Sequence, residues 1–125
     1  MNDRLGCGHV LAAIRNSLRG LKCACLNECA FRQEVVLGVV HFALLFAVDE
    51  GFAVKLVLAF LWVALMVAEL INSAVEEVVD YVSPEWNLFA KHAKDYCSAA
   101  VFLVAILLMV AWLLVLCRAF GINAF

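Results

Sequence analysis

From Tyr96 to Cys117 the chain runs for 22 residues without a formal charge. A helix of that length reaches about 33 Å, and a hydrocarbon core is about 30 Å thick. Within such a core every backbone polar group must be bonded internally, so the run is held to a transmembrane helix. A second span begins near Phe52, carries Lys55 close enough to its end to snorkel, and is apolar from Leu56 to Ala68. A third candidate, Val35 to Val48, has only 14 residues between Glu34 and Asp49. Starting it near Cys29 makes it long enough and places Arg32, Gln33 and Glu34 at the interface. With 67% hydrophobic residues among 125, this is no ordinary soluble domain. The expected fold is all-α, one membrane domain over 1–125, with spans at about 29–48, 52–69 continuing to 81, and 96–117.

Basic residues set the orientation. Arg4, Arg15, Arg19, Lys22 and Arg32 precede the first span, and Lys91 and Lys94 lie between the second and third. The other ends hold only Lys55 and Arg118, so the N-terminus and the second-to-third connection are expected in the cytoplasm. Before the first span, Val10, Ile14, Leu18, Leu21 and Cys25 recur at three- and four-residue spacing, with Arg15, Arg19 and Lys22 in other directions. This pattern predicts an amphipathic helix over about 9–27 lying on the membrane surface. It lacks the continuous apolar core and the cleavage site of a signal peptide. The formal net charge of −2 says little about partners, because the distribution matters more than the sum, and no nucleic-acid target is expected.

Within the second span stand Glu69, Asn72, Glu76 and Asp80, spaced by three, four and four. At about 100° per residue they fall within an arc of roughly 80°, one stripe of one helix. Ionisable groups at such a place are costly and suggest a functional site. The six cysteines form no paired C-x-x-C framework and read as small packing residues. His9, His41 and His92 form no ligand pattern, and His41 reads as a packed interhelical polar residue. Pro84, the only proline, ends the second helix and opens the connector.

Carboxylates without histidine or cysteine partners suit a hard divalent cation such as Mg2+, which takes one or two protein carboxylates together with substrate phosphates. A lysine at the start of the next helix, Lys94, could neutralise a transferring phosphoryl group, and one further carboxylate could accept the proton of an attacking hydroxyl. Phosphoryl transfer to a lipid alcohol fits that set. Ion passage or simple helix adhesion would also use such a stripe, and no glycine-rich phosphate loop is present.

The stretch Glu69-Leu70-Ile71-Asn72-Ser73-Ala74-Val75-Glu76-Glu77-Val78-Val79-Asp80 resembles the signature of the small prokaryotic diacylglycerol kinases, E-x-x-N-S/T-A-I/V-E-x-x-V-D. The resemblance extends to Asn27-Glu28, to Ala30-Phe31-Arg32-Gln33-Glu34, and to Ala93-Lys94-Asp95 followed by Ser98-Ala99-Ala100-Val101. It implies a homotrimer in the bacterial inner membrane, with sites shared between subunits, transferring the ATP γ-phosphate to diacylglycerol to give phosphatidate.

It also implies residue roles. Glu69 would be the general base, with Asn72 and Lys94 completing the catalytic set. Glu28 and Glu76 would hold the Mg2+ that bridges ATP phosphates. Nucleotide contacts would come from Glu28, Glu76, Asp80, Glu85, Trp86, Asn87, Lys94 and Asp95. The lipid would meet Ala30, Phe31, Arg32, Gln33, Glu34, Glu69, Ser98 and Trp112. Glu69 lies deepest, and Glu76 stands about 10 Å nearer the cytoplasm, so lipid would enter laterally and nucleotide from water. The chain departs from the family pattern at His9, Ala12 and Asn16, and again at Tyr81, Lys91 and His92. A polyprenol kinase of the same family, acting on undecaprenol, and a non-catalytic membrane oligomer or ion pathway stand as the other readings.

Overall fold

The chain is described by a computed structural model covering residues 7–121, the side chain of Cys7 aside. Arg4, one of the cations behind the expected orientation, lies outside the described residues. Four helices follow one another: α1 (Cys7–Asn27), α2 (Cys29–Ala47), α3 (Phe52–Val82) and α4 (Leu88–Ala119). The last three are long and apolar enough to cross a membrane. Three spans and a preceding amphipathic helix were expected, and the helices are there.

Helix ends explain where hydropathy and structure part. α4 begins at Leu88, eight residues before the apolar run opens at Tyr96. The Asn87 side chain accepts a hydrogen bond from the Phe89 N–H at 2.8 Å and starts the helix there. Hydropathy marks the part of a helix that suits lipid, whereas capping marks the helix itself. α3 ends at Val82, where Ser83 leaves helical geometry and Pro84 follows. α2 stops at Ala47 because Val48 turns extended before Asp49-Glu50-Gly51.

Lengths then place the overhang. The 19 residues of α2 reach about 28 Å, but the 31 of α3 and 32 of α4 reach about 46 and 48 Å. Near the short α2–α3 turn, Arg118 Nη1 of α4 lies 4.0 Å from Glu50 Oε2, so the helices are level at that end. The excess, roughly 15 Å, projects at the α3–α4 connector.

Packing is most extensive between α3 and α4, with α2 resting on α3 and α1 touching α2. The apolar core, Leu45, Leu58, Trp62, Leu65, Leu108 and Val115, fills the half of the bundle near the α2–α3 turn. Val36, Val39, Phe46, Phe60, Leu103 and Met109 point outward, as side chains bathed in lipid do. On α1, Val10, Leu11, Ile14 and Leu18 are exposed as well, an apolar face with no partner among the described residues. The polar groups gather in the opposite half, toward the connector.

Candidate active site

Burying a carboxylate in an apolar bundle is costly unless something balances it. α3 buries three polar side chains in succession: Glu69 at 8% exposure, Asn72 at 9% and Ser73 at 9%. The Asn72 Nδ2 amide donates to Glu76 Oε1 at 3.1 Å, one turn toward the connector. That bond leaves Asn72 Oδ1 buried without a partner, and Glu34 Oε2 on α2 is likewise buried and unpartnered. Glu34 and Glu69 are close enough to repel each other, and Glu76 and Glu28 add to the negative charge around Glu69. Among the described residues no salt bridge reaches any of these four acids.

Glu28 is the residue between α1 and α2, where the chain turns extended before re-entering a helix. Its side chain makes no capping bond, so the carboxylate is not engaged in holding the helix start. Arg32, one turn into α2, instead closes the end of α1, donating from Nη1 to the Leu26 carbonyl at 2.8 Å. The carboxylates of Glu28 and Glu76 present only oxygen acceptors. That donor set fits a hard cation such as Mg2+ that keeps water or phosphate in its remaining positions. Among the described residues no group of three or more histidines, cysteines, aspartates or glutamates is placed to hold a metal ion, so phosphate and water oxygens would have to complete the coordination.

A second polar region lies in the overhang. Lys94 Nζ donates to Asp80 Oδ1 at 2.5 Å, and Lys91 Nζ to Asp95 Oδ2 at 2.8 Å. These pairs border a cleft of about 400 Å³ whose wall also includes Glu85, Trp86 and Asn87. Six residues that the family resemblance places at the nucleotide (Asp80, Glu85, Trp86, Asn87, Lys94 and Asp95) thus line one cavity. Asn87 does so while its side chain caps α4. Another cleft, of about 490 Å³, opens between α1 and α3 and is lined by Ser17, Leu21, Glu28, Leu70, Ser73 and Glu77.

Several expected lipid contacts are not brought together. Ala30 and Gln33 are exposed on α2, Ser98 is exposed on α4, and Phe31 is buried at 2% exposure. Trp112 stands fourteen residues beyond Ser98, about 21 Å along α4. Its indole N–H donates to His41 Nδ1 at 3.1 Å. The interhelical role expected of His41 is therefore what the structure shows. Sequence reading missed Ser17, Ser73, Glu77 and Lys91 as cleft residues. Only Lys91 carried a signal, its four-residue spacing from Asp95.

Fold and site define a small three-span membrane protein that sinks acids into the bilayer edge and sets lysine–aspartate pairs just beyond it. The family model for prokaryotic diacylglycerol kinase matches residues 15–116. The chain is 32% identical to the diacylglycerol kinase of Escherichia coli (strain K12) over 120 residues, covering 96% of this chain and 98% of that protein. It is 38% identical to the Haemophilus influenzae diacylglycerol kinase over 113 residues, 90% of this chain and 95% of that one. Against the Pseudomonas aeruginosa diacylglycerol kinase the identity is 36% over 111 residues, 89% and 90% of the two chains. The chain belongs to the prokaryotic diacylglycerol kinase family, as the Glu69–Asp80 signature implied.

Proposed function

We propose that this chain transfers the γ-phosphate of ATP to the free hydroxyl of diacylglycerol, giving phosphatidate, in the inner membrane of a bacterium. One observation carries the reading: a buried, acceptor-only acid group and a lysine-bearing cleft share one helix. They lie about 16 Å apart between Glu69 and Asp80. The first suits a lipid hydroxyl that must lose a proton, the second a nucleotide arriving from water.

Glu69, with no cation paired to it among the described residues, is the base that accepts the hydroxyl proton. Glu34 shares the lipid side with it, and Gln33 and Ser98 border the path by which the lipid arrives. Asn72 orients Glu76 through its 3.1 Å hydrogen bond. Glu28 and Glu76 would hold Mg2+, which when bound supplies charge neutralisation to the ATP phosphates. Lys94 exchanges Asp80 for phosphate and stabilises the charge that develops on transfer. Asp95, Glu85 and Trp86 border the rest of the nucleotide. The connector and the N-terminus face the cytoplasm. Three copies of the chain assemble around shared sites, α1 lying on the membrane surface with its exposed apolar face in lipid.

The relatives at 32–38% identity are named for diacylglycerol, which supports that acceptor over a polyprenol. Purified protein in lipid with Mg2+ and labelled ATP, offered diacylglycerol and undecaprenol in parallel, tests this. Label is expected in phosphatidate. Label confined to the polyprenol would replace the acceptor, and label in neither lipid would end the kinase reading.

A further inference from the structure

α2 buries one stripe, Phe31, Gly38, His41 and Leu45, and α3 buries Leu58, Trp62, Leu65, Glu69, Asn72 and Ser73. The helices run antiparallel, so a step along one is matched by a step back along the other. Leu45 and Leu58 share the apolar core. One level inward, the His41 ring stacks on the Trp62 ring with centroids 4.6 Å apart and planes at 26°. Further in, the same register sets Glu34 level with Glu69, and Glu34 Oε2 is buried there without a partner. From His41 to Glu34 is seven residues, and from Trp62 to Glu69 is also seven, two turns or about 10 Å on each helix. The register that stacks His41 on Trp62 thus brings Glu34 and Glu69 to one level.

Gly38 lies at the point of closest approach. A Cβ there would stand 2.9 Å from Trp62 Nε1 and 3.3 Å from Trp62 Cε2, so the indole packs where a side chain would be. The third span joins through Trp112, which donates to His41 Nδ1 at 3.1 Å with its ring edge-on to the imidazole. An indole nitrogen only donates, so Nδ1 is bare and the ring proton sits on Nε2. That nitrogen is buried with no hydrogen-bond partner among the described residues.

We infer that Gly38, His41, Trp62 and Trp112 form a register clamp: positioning residues that hold α2 against α3 so that Glu34 stays beside Glu69. The inference rests on the reading of Glu69 as the base. A slip of one turn would set Glu34 against Met66 or Ser73 and part the two carboxylates. Interlocking flat rings and a missing side chain resist such a slip better than aliphatic packing, because they admit one arrangement. Misplacement by about 1 Å at a reacting group is enough for losses on the order of 10²-fold, which is why a clamp remote from the chemistry matters.

Gly38→Ala and Gly38→Ala/Trp62→Phe, compared with the unaltered protein in lipid, test the clamp by two readouts. The first is steady-state kinetics. The second is the rate at which dicyclohexylcarbodiimide labels Glu69 without ATP or lipid substrate, located by mass spectrometry. Gly38→Ala is expected to lower kcat at least tenfold, to leave the KM for ATP within twofold, and to change the labelling rate at least threefold. Trp62→Phe, which removes the indole atoms the new Cβ would strike, is expected to return both readouts to within threefold of the unaltered protein. Unchanged kcat and labelling in Gly38→Ala, or a double variant no better than the single one, would overturn the clamp. Should Gly38→Ala not insert, His41→Asn, which keeps an acceptor for Trp112, is expected to outperform His41→Leu at least fivefold in kcat and to keep the labelling rate. Equal behaviour of those two would also overturn it. If the unaltered protein phosphorylates no lipid, the kinase reading fails by that control, and the labelling rates alone decide the clamp.

Discussion

Glu69 and Asp80 belong to one helix and stand about 16 Å apart, yet their carboxylates meet different surroundings. Glu69 is buried where Glu34, Glu28 and Glu76 add negative charge around it, with no salt bridge among the described residues. Asp80 is exposed and holds Lys94, while Asp95 holds Lys91. The buried group has to be balanced by a proton or cation brought from elsewhere, because unpaired charge in an apolar setting is costly. The exposed group is balanced already, and its lysines can turn to a stronger anion when one arrives. One helix thus carries an incomplete site and a self-paired one, as an enzyme joining a lipid hydroxyl to a nucleotide phosphate would need.

Removing the proposed base strikes the incomplete end hardest. Glu69→Gln keeps the size of the side chain, but takes away the proposed proton acceptor. Turnover is expected to fall by about 10²–10⁴-fold, the usual scale for a general base, with ATP binding retained. Parallel measurement of kcat and equilibrium nucleotide binding checks it, and normal turnover would dissolve the contrast between the two ends.

A smaller effect is expected one step back from the metal. Asn72 reaches the proposed metal site only through its 3.1 Å bond to Glu76. Loss of such an outer partner commonly costs 10- to 100-fold in metal affinity. Asn72→Ala should therefore raise the Mg2+ concentration for half-maximal activity by about tenfold, while saturating Mg2+ restores most of the rate. At the paired end, Lys94→Ala is expected to raise the KM for ATP by about tenfold and to lower kcat by a similar factor, since one charge-assisted phosphate contact is lost. Asp80→Asn, which frees Lys94 instead of deleting it, should leave kcat within about threefold. Comparable losses in the two variants would mean that Asp80 touches substrate itself.

How much of this was open to sequence reading follows from what each feature depends on. The stripe of Glu69, Asn72, Glu76 and Asp80 needs only the helical period, so spacing alone placed it on one face. The spans needed only hydropathy, and the start of α4 escaped because Asn87 caps a turn that lies outside the apolar run. Gathering Asp80, Glu85 and Lys94 in one cleft required knowing that α3 and α4 project side by side past the bilayer, a consequence of their lengths. The pairing of Glu34 with Glu69 depends on the register between two helices. The bond from Trp112 to His41 joins residues 71 positions apart, and no local period encodes it. Trp112, which the family resemblance placed on the lipid, has its indole N–H bonded within the bundle.

Lys91 offers the finest test of the comparison, because it belongs to the paired end and its ion pair with Asp95 is largely exposed. It sits in the first turn of α4, where the helix dipole favours anions over cations. Its partner Asp95 follows it by four residues, the less favourable order for an exposed helical ion pair. Both members are more than half exposed, so the pair adds little to holding the helix. Helix stability is thus a poor reason for a lysine at this position, whereas an anion arriving in the cleft is a good one. Lys91→Ala is expected to raise the KM for ATP by about two- to threefold at low ionic strength and to leave kcat and the unfolding temperature unchanged. In about 0.5 M salt the difference should vanish, since the Debye length there is shorter than the reach between an exposed ammonium and a phosphate in the cleft. An effect that persisted in high salt would mark Lys91 as a direct phosphate ligand on a par with Lys94. No effect at low salt would confine the nucleotide-binding charge of the paired end to Lys94 alone.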